Sequence, residues 1–160
     1  MNTRVFMERM PAGIPGDVTR PSTATIEPQH YDPSQPFPAY GVPGKIDGEK
    51  FVPLGTGDTA QDIYGLLVRP YPTGQSLDGT NQPNSNGICN VLKRGYMTVL
   101  LKSGTAAKNG PVYVRVANGT PAKPIGGIEA VAGADVIQIP NAVFMGAADA
   151  SGNIEISYNL

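Results

Sequence analysis

Seven prolines fall between residues 11 and 38, at 11, 15, 21, 28, 33, 36 and 38, and an eighth follows at 43. Each fixes its own φ, removes a backbone donor and pushes the preceding residue toward extended geometry. A helix cannot run through such spacing, and a central strand would lose its ladder hydrogen bonds. The first forty residues are therefore expected to stay extended and largely unpaired. They nevertheless carry Val5, Phe6, Met7, Met10, Ile14, Ile26, Tyr31, Phe37 and Tyr40. A solvating linker has few such anchors. Residues 1–40 read as an arm that lies along another protein surface, and residues 41–160 as a β-rich body.

Charge supports the same reading. Charged residues make up 16% of the chain, against about 25% in an average soluble domain. A surface this poor in charge fits one that other proteins cover, and fits equally a Gly/Pro-rich β protein with neutral loops. Twelve basic and thirteen acidic residues give a net charge of −1 with no basic run. Nucleic-acid binding therefore has no electrostatic footprint. No apolar stretch is long enough to span a membrane. Met1 to Pro11 contains Arg4, Glu8 and Arg9 and no apolar signal core, so Sec-type export is not expected. Cys89 is the only cysteine, which excludes an intrachain disulfide.

Beyond residue 40, short apolar runs alternate with turn residues. Ile63 to Val68 and Ile88 to Leu92 are candidate strands, separated by a polar loop from Gln75 to Gly87. Asp58-Thr59 could cap a short turn, which Gly65 would weaken. Tyr96 to Lys102 reads as a strand covered on both faces. Val112, Val114 and Val116 alternate with Tyr113 and Arg115. Asn109-Gly110 lies before this strand and Asn118-Gly119 after it, and Asn-Gly is a strong hairpin signal. Residues 96–126 are thus expected to form a β-meander. Val136 to Ile139 and Ala142 to Ala147 are read as two strands broken by Pro140. The last strand is Ile154 to Tyr158, with Ile154, Ile156 and Tyr158 facing in and Asp149 to Asn153 turning the chain into it. Short strands at this spacing indicate an all-β jelly-roll or barrel-like body.

Catalytic chemistry finds little footing. His30 is the only histidine and lies in the proline-rich segment. A His-cluster metal site is excluded, and a Ser-His-Asp triad would need that segment to hold its base. Cys89 lies between Ile88 and Asn90 with no nearby base to activate it. Gly104 to Gly110 lacks the Lys-Ser/Thr pair of a phosphate loop, and Asp135, Asp149 and Glu155 lack calcium-loop spacing. No cofactor is implied.

Two stretches carry a family pattern: GTAAKNGPVYV at 104–114, followed by Asn118-Gly119, and Phe144-Met145-Gly146-Ala147-Ala148-Asp149 with Ser151-Gly152-Asn153-Ile154-Glu155-Ile156. These resemble structural cement and head-decoration proteins of tailed bacteriophages over about the last 60 residues. The resemblance implies a β-rich body on the outside of a virion capsid, made in the host cytoplasm, with the major capsid protein as partner. It transfers no catalytic residue. A dimer or trimer around a symmetry axis is expected, since clustered copies gain avidity. The expected partner contacts are Phe6, Met7, Ile14, Tyr31, Phe37 and Tyr40, with Arg4, Arg9 and Arg20 pairing to acidic groups. For each aromatic the alternative is burial against its own body. The rival function is a carbohydrate-binding module of a tail fibre or adhesin, using Tyr71, Tyr96 and Tyr113 as stacking faces.

Overall fold

The computed structural model describes residues 12–70, 83 and 87–160. Nine strands account for nearly all its regular structure: β1 Thr25–Tyr31, β2 Pro43–Asp47, β3 Lys50–Pro53, β4 Gly65–Leu67, β5 Ile88–Ser103, β6 Pro111–Arg115, β7 Ile128–Glu129, β8 Val136–Phe144 and β9 Asn153–Tyr158. The helices are two three-residue 3-10 turns, Pro21–Thr23 and Ala60–Asp62. Among the described residues no helix is long and apolar enough to cross a membrane.

The strand pairings close two circuits that share β5. In the first ring β1 pairs with β3, β3 with β2, β2 with β4, β4 with β5, and β5 back with β1. In the second, β5 pairs with β7, β7 with β6, β6 with β8, β8 with β9, and β9 back with β5. Closing a sheet on itself removes most of its free edges. The fold is thus all-β and barrel-like.

The handover lies at Gly95. First-ring pairing along β5 ends at Arg94 opposite Thr25, and second-ring pairing starts at Gly95 opposite Tyr158. Gly95 has φ +138, and a Cβ there would lie 3.1 Å from the Ala24 Cα. Glycine lets the strand change course while another backbone approaches closely. The expected strands Ile88–Leu92 and Tyr96–Lys102 are therefore one 16-residue strand.

Alternation sets the interiors. Tyr31, Phe37, Tyr40, Val42, Phe51, Leu67, Cys89 and Val91 form the core of the first ring. Leu66 and Leu92 lie next to Leu67 and Val91 in sequence, point the other way, and join the second cluster with Met97, Val114, Ile139, Phe144, Ile154 and Ile156. β4 and the Val91-Leu92 pair of β5 are thus buried on both faces, and the two rings pack through them. Val112, Val114, Val116, Ile154, Ile156 and Tyr158 are all buried, as their alternation indicated.

Three expectations are corrected. The stretch to residue 40 is not unpaired: β1 pairs with β5 from Thr25 to His30. Pro28 is accommodated because β1 meets β3 only at His30 and Tyr31, so among the described residues its other side has no ladder to break. Strands β5 and β6 do not form a hairpin. Strand β7 lies between them, parallel to β5 and antiparallel to β6. The Asn109-Gly110 turn is instead tied to β8: Asn109 N donates to the Phe144 carbonyl and Phe144 N to the Gly110 carbonyl. Finally, Pro140 does not end a strand. β8 continues to Phe144, with Asn141 at φ +53 and a register shift against β6. A bulge absorbs the proline, and lets the first part of β8 serve β6 and the last part β9. The polar loop expected at 75–87 lies largely outside the described residues.

Candidate interaction surface

Residues 12–19 form a strap along the free edge of β5. Gly16 N donates to the Thr98 carbonyl, Thr98 N to the Asp17 carbonyl and Thr19 N to the Tyr96 carbonyl. Thr98 Oγ1 donates to the Ala12 carbonyl. The strap covers β5 between the residues paired to β4 and those paired to β7. Its fit depends on two glycines. Gly16 and Gly41 both have positive φ; a Cβ on Gly16 would lie 2.6 Å from the Tyr40 Cβ, and one on Gly41 2.8 Å from Gly16 N. Only glycine satisfies both the left-handed backbone and the close approach.

The sequence-derived contact residues separate into three groups. Arg4, Phe6, Met7 and Arg9 lie outside the described residues. Tyr31, Phe37 and Tyr40 are 7%, 3% and 9% exposed. Phe37 stacks on Phe51 with centroids 4.8 Å apart, and Tyr31 meets its edge at 6.0 Å. These three side chains therefore help build the core of the first ring. Burial drives the Tyr31 hydroxyl pKa far upward. Ile14 and Arg20 remain on the surface. Ile14 is 49% exposed on the strap. Arg20 is paired within the chain: Nη2 donates to Glu155 at 2.7 Å and the guanidinium lies 3.8 Å from the Tyr96 ring centroid. Thr19 Oγ1 donates to the same carboxylate, so β9 fastens the end of the strap.

These contacts also bear on the sugar-stacking residues. Arg20 covers one face of Tyr96, Tyr113 is half-buried on β6, and Tyr71 lies outside the described residues. His30 is exposed on β1 opposite Ile88. Cys89 is buried, and burial pushes its thiol up to about 11. A thiol in that state is a poor nucleophile. Among the described residues no group of three or more His, Cys, Asp or Glu could hold a metal ion.

A concave feature that composition did not signal lies at the seam of the two rings. The strap, the 38–42 segment, the second half of β5 and the 124–128 segment enclose an open groove of about 300 Å³. Prolines and aliphatic side chains form its walls, and Arg69 and Lys102 stand among them. Arg69 is fixed by donation from Nε to the Pro15 carbonyl at 2.9 Å and lies 4.6 Å from the Tyr40 ring centroid. Sequence reading missed the groove because its lining comes from five separate segments brought together by ring closure.

Comparison with known proteins bears on the whole of this architecture. The family model described as XM1 gp53 minor capsid protein matches residues 4–158. A solved structure titled "The capsid of Myoviridae Phage XM1" contains a chain with a similar fold, at TM-score 0.70 and 17% identity, covering 99% of this chain and 97% of that one. No curated protein matches. The family match takes in both rings and the strap, so the chain belongs to the XM1 gp53 minor capsid protein family and is a structural component of a phage virion.

Proposed function

We propose that the protein binds the outside of an assembled capsid and cements neighbouring major capsid subunits, with two or three copies meeting around a symmetry axis. The observation that supports this most is the family match from residue 4 to 158, which includes the segment ahead of the strap as well as the two rings. A ligand that binds only the assembled shell stabilises it by mass action, by about 2.7 kcal/mol per site at 100 times Kd. Copies that share a boundary add avidity. In this reading Phe6, Met7 and Ile14 supply apolar contacts, and Arg4 and Arg9 pair with shell carboxylates. Tyr31, Phe37 and Tyr40 keep the first ring intact.

The test uses capsids that lack this protein. Full-length chain is added, and bound copies per major capsid subunit are counted by quantitative mass spectrometry while shell disruption is followed by calorimetry. Saturation at a simple ratio with a raised disruption temperature is expected. Binding that leaves the shell no more stable would refute cementing. A chain lacking residues 1–11 is expected to bind more weakly, and equal binding would remove those residues from the contact.

A further inference from the structure

We propose that the seam groove receives an extended acidic segment of a neighbouring shell subunit. The inference rests on the capsid-binding reading and adds a place and a chemistry to it. The groove carries two cations, Arg69 and Lys102, and no carboxylate among its lining residues. Lys102 is exposed, and no carboxylate among the described residues pairs with it. The carboxylate near Arg69 is Asp17, at 3.9 Å and outside the groove. Positive charge left unmatched at a recess is complementary to a negative partner. A carboxylate entering beside Lys102 would gain a charge-assisted hydrogen bond in a half-enclosed site.

The walls favour a peptide as the occupant. Pro15, Pro38 and Pro124 come from three separate segments, and Val42, Leu100 and Ile125 add to the apolar lining. Proline has no side-chain rotamer freedom to lose on binding, so the recess is largely preformed. Its volume of about 300 Å³ lies at the floor of the range for small-molecule pockets, roughly 300–1,000 Å³. That size fits an inserted side-chain anchor better than an enclosed cofactor.

The experiment uses full-length protein and capsids purified without it. Three proteins are compared for binding: wild type, Lys102→Glu and Lys102→Arg. Melting of each free protein is recorded alongside. A fourth carries a benzoylphenylalanine photocrosslinker in place of Ile125. Lys102→Glu is expected to bind about tenfold more weakly or worse, with Lys102→Arg close to wild type and all melting points alike. Crosslinks from position 125 are expected to map to a shell-subunit peptide that contains Asp or Glu. Equal binding by wild type and Lys102→Glu would overturn the proposal while leaving capsid binding intact. Crosslinks confined to another copy of this chain, or an absence of shell crosslinks, would also overturn it. Failure of wild type to bind the capsid would overturn both readings.

Discussion

Replacing Phe37 with alanine separates a core residue from a docking anchor. Phe37 lies in the proline-rich segment between β1 and β2, where sequence alone assigns it to a partner surface. In the fold it is 3% exposed, stacked on Phe51 at 4.8 Å with Tyr31 at its edge. Truncating a buried phenylalanine costs about 3–5 kcal/mol, because its transfer energy is lost and a cavity remains. The site has little room to collapse, since Phe51 is fully buried and held by pairing to β1 and β2. For a domain of this size each kcal/mol moves the midpoint by roughly 2–4 °C, so Phe37→Ala is expected to lower Tm by roughly 6–20 °C. The assay is thermal and urea unfolding of the isolated chain, with no capsid present. A variant that melts like wild type but binds capsids poorly would refute the reasoning and return Phe37 to the docking surface.

Deleting residues 1–31 removes the strap and β1 and opens the first ring, and is expected to abolish the cooperative transition seen by circular dichroism. Gly41→Ala forces a side chain into a left-handed backbone, at a cost of about 1–3 kcal/mol, and against Gly16 N. Faster hydrogen exchange at the Gly16 and Thr98 amides should report the loosened strap, and unchanged exchange would sink the proposed glycine contact. The Cys89 thiol, held up to about 11 by burial, favours the fold while it is neutral. Its contribution is complete below the unfolded-state value, about 8.5, and is lost as pH rises through about 11. Stability measured from pH 8 to 11 should therefore fall more steeply in wild type than in Cys89→Ala, and matching slopes would exclude the effect. Pro28→Val restores a backbone donor on the side of β1 that lacks a partner over Thr25–Gln29 among the described residues. Sedimentation should show more self-association than in wild type, and an unchanged profile would mean that the proline does not guard that edge.

How much of this was legible in the sequence depends on the range over which each signal acts. The alternation Val112-Tyr113-Val114-Arg115-Val116 is local, and the fold buries its valines as the pattern indicates. The same holds for Ile154, Ile156 and Tyr158, and for the Asp149 turn, where the carboxylate accepts from the Ser151 and Asn153 amides. Pairing partners were not legible. Asn109-Gly110 marks a turn correctly, with Asn109 at φ +65, but turn chemistry does not say which strand will lie alongside, and β7 takes the place given to β6. The proline argument failed for a related reason. Proline forbids a strand only where the missing donor is needed, and among the described residues β1 has a side with no partner over Thr25–Gln29. Nor does burial of Tyr31, Phe37 and Tyr40 leave a mark that distinguishes a ring interior from a partner surface. The groove depends on the same long-range closure, and Arg69 and Lys102 stand 33 positions apart.

The way β5 is covered limits how this molecule can attach to a shell. Its first half lies between β1 and β4, and its second half between β9 on one side and the strap and β7 on the other. A strand paired on both sides offers no template for a further strand. The β1 side left without a partner among the described residues over Thr25–Gln29 carries Pro28, which cannot donate there. Main-chain augmentation along β5 is thus disfavoured, and recognition there falls to side chains standing outside the rings. Among the described residues Ile14 on the strap and Lys102 at the seam are such groups, and the strap's own backbone forms one wall of the seam groove through Pro15. Displacing the strap would therefore do two things at once. It would expose the β5 edge at Tyr96–Thr98, and it would remove that wall. Strap docking and groove recognition are coupled by this geometry, so a variant that loosens the strap should weaken a groove-bound partner without touching any residue the partner contacts.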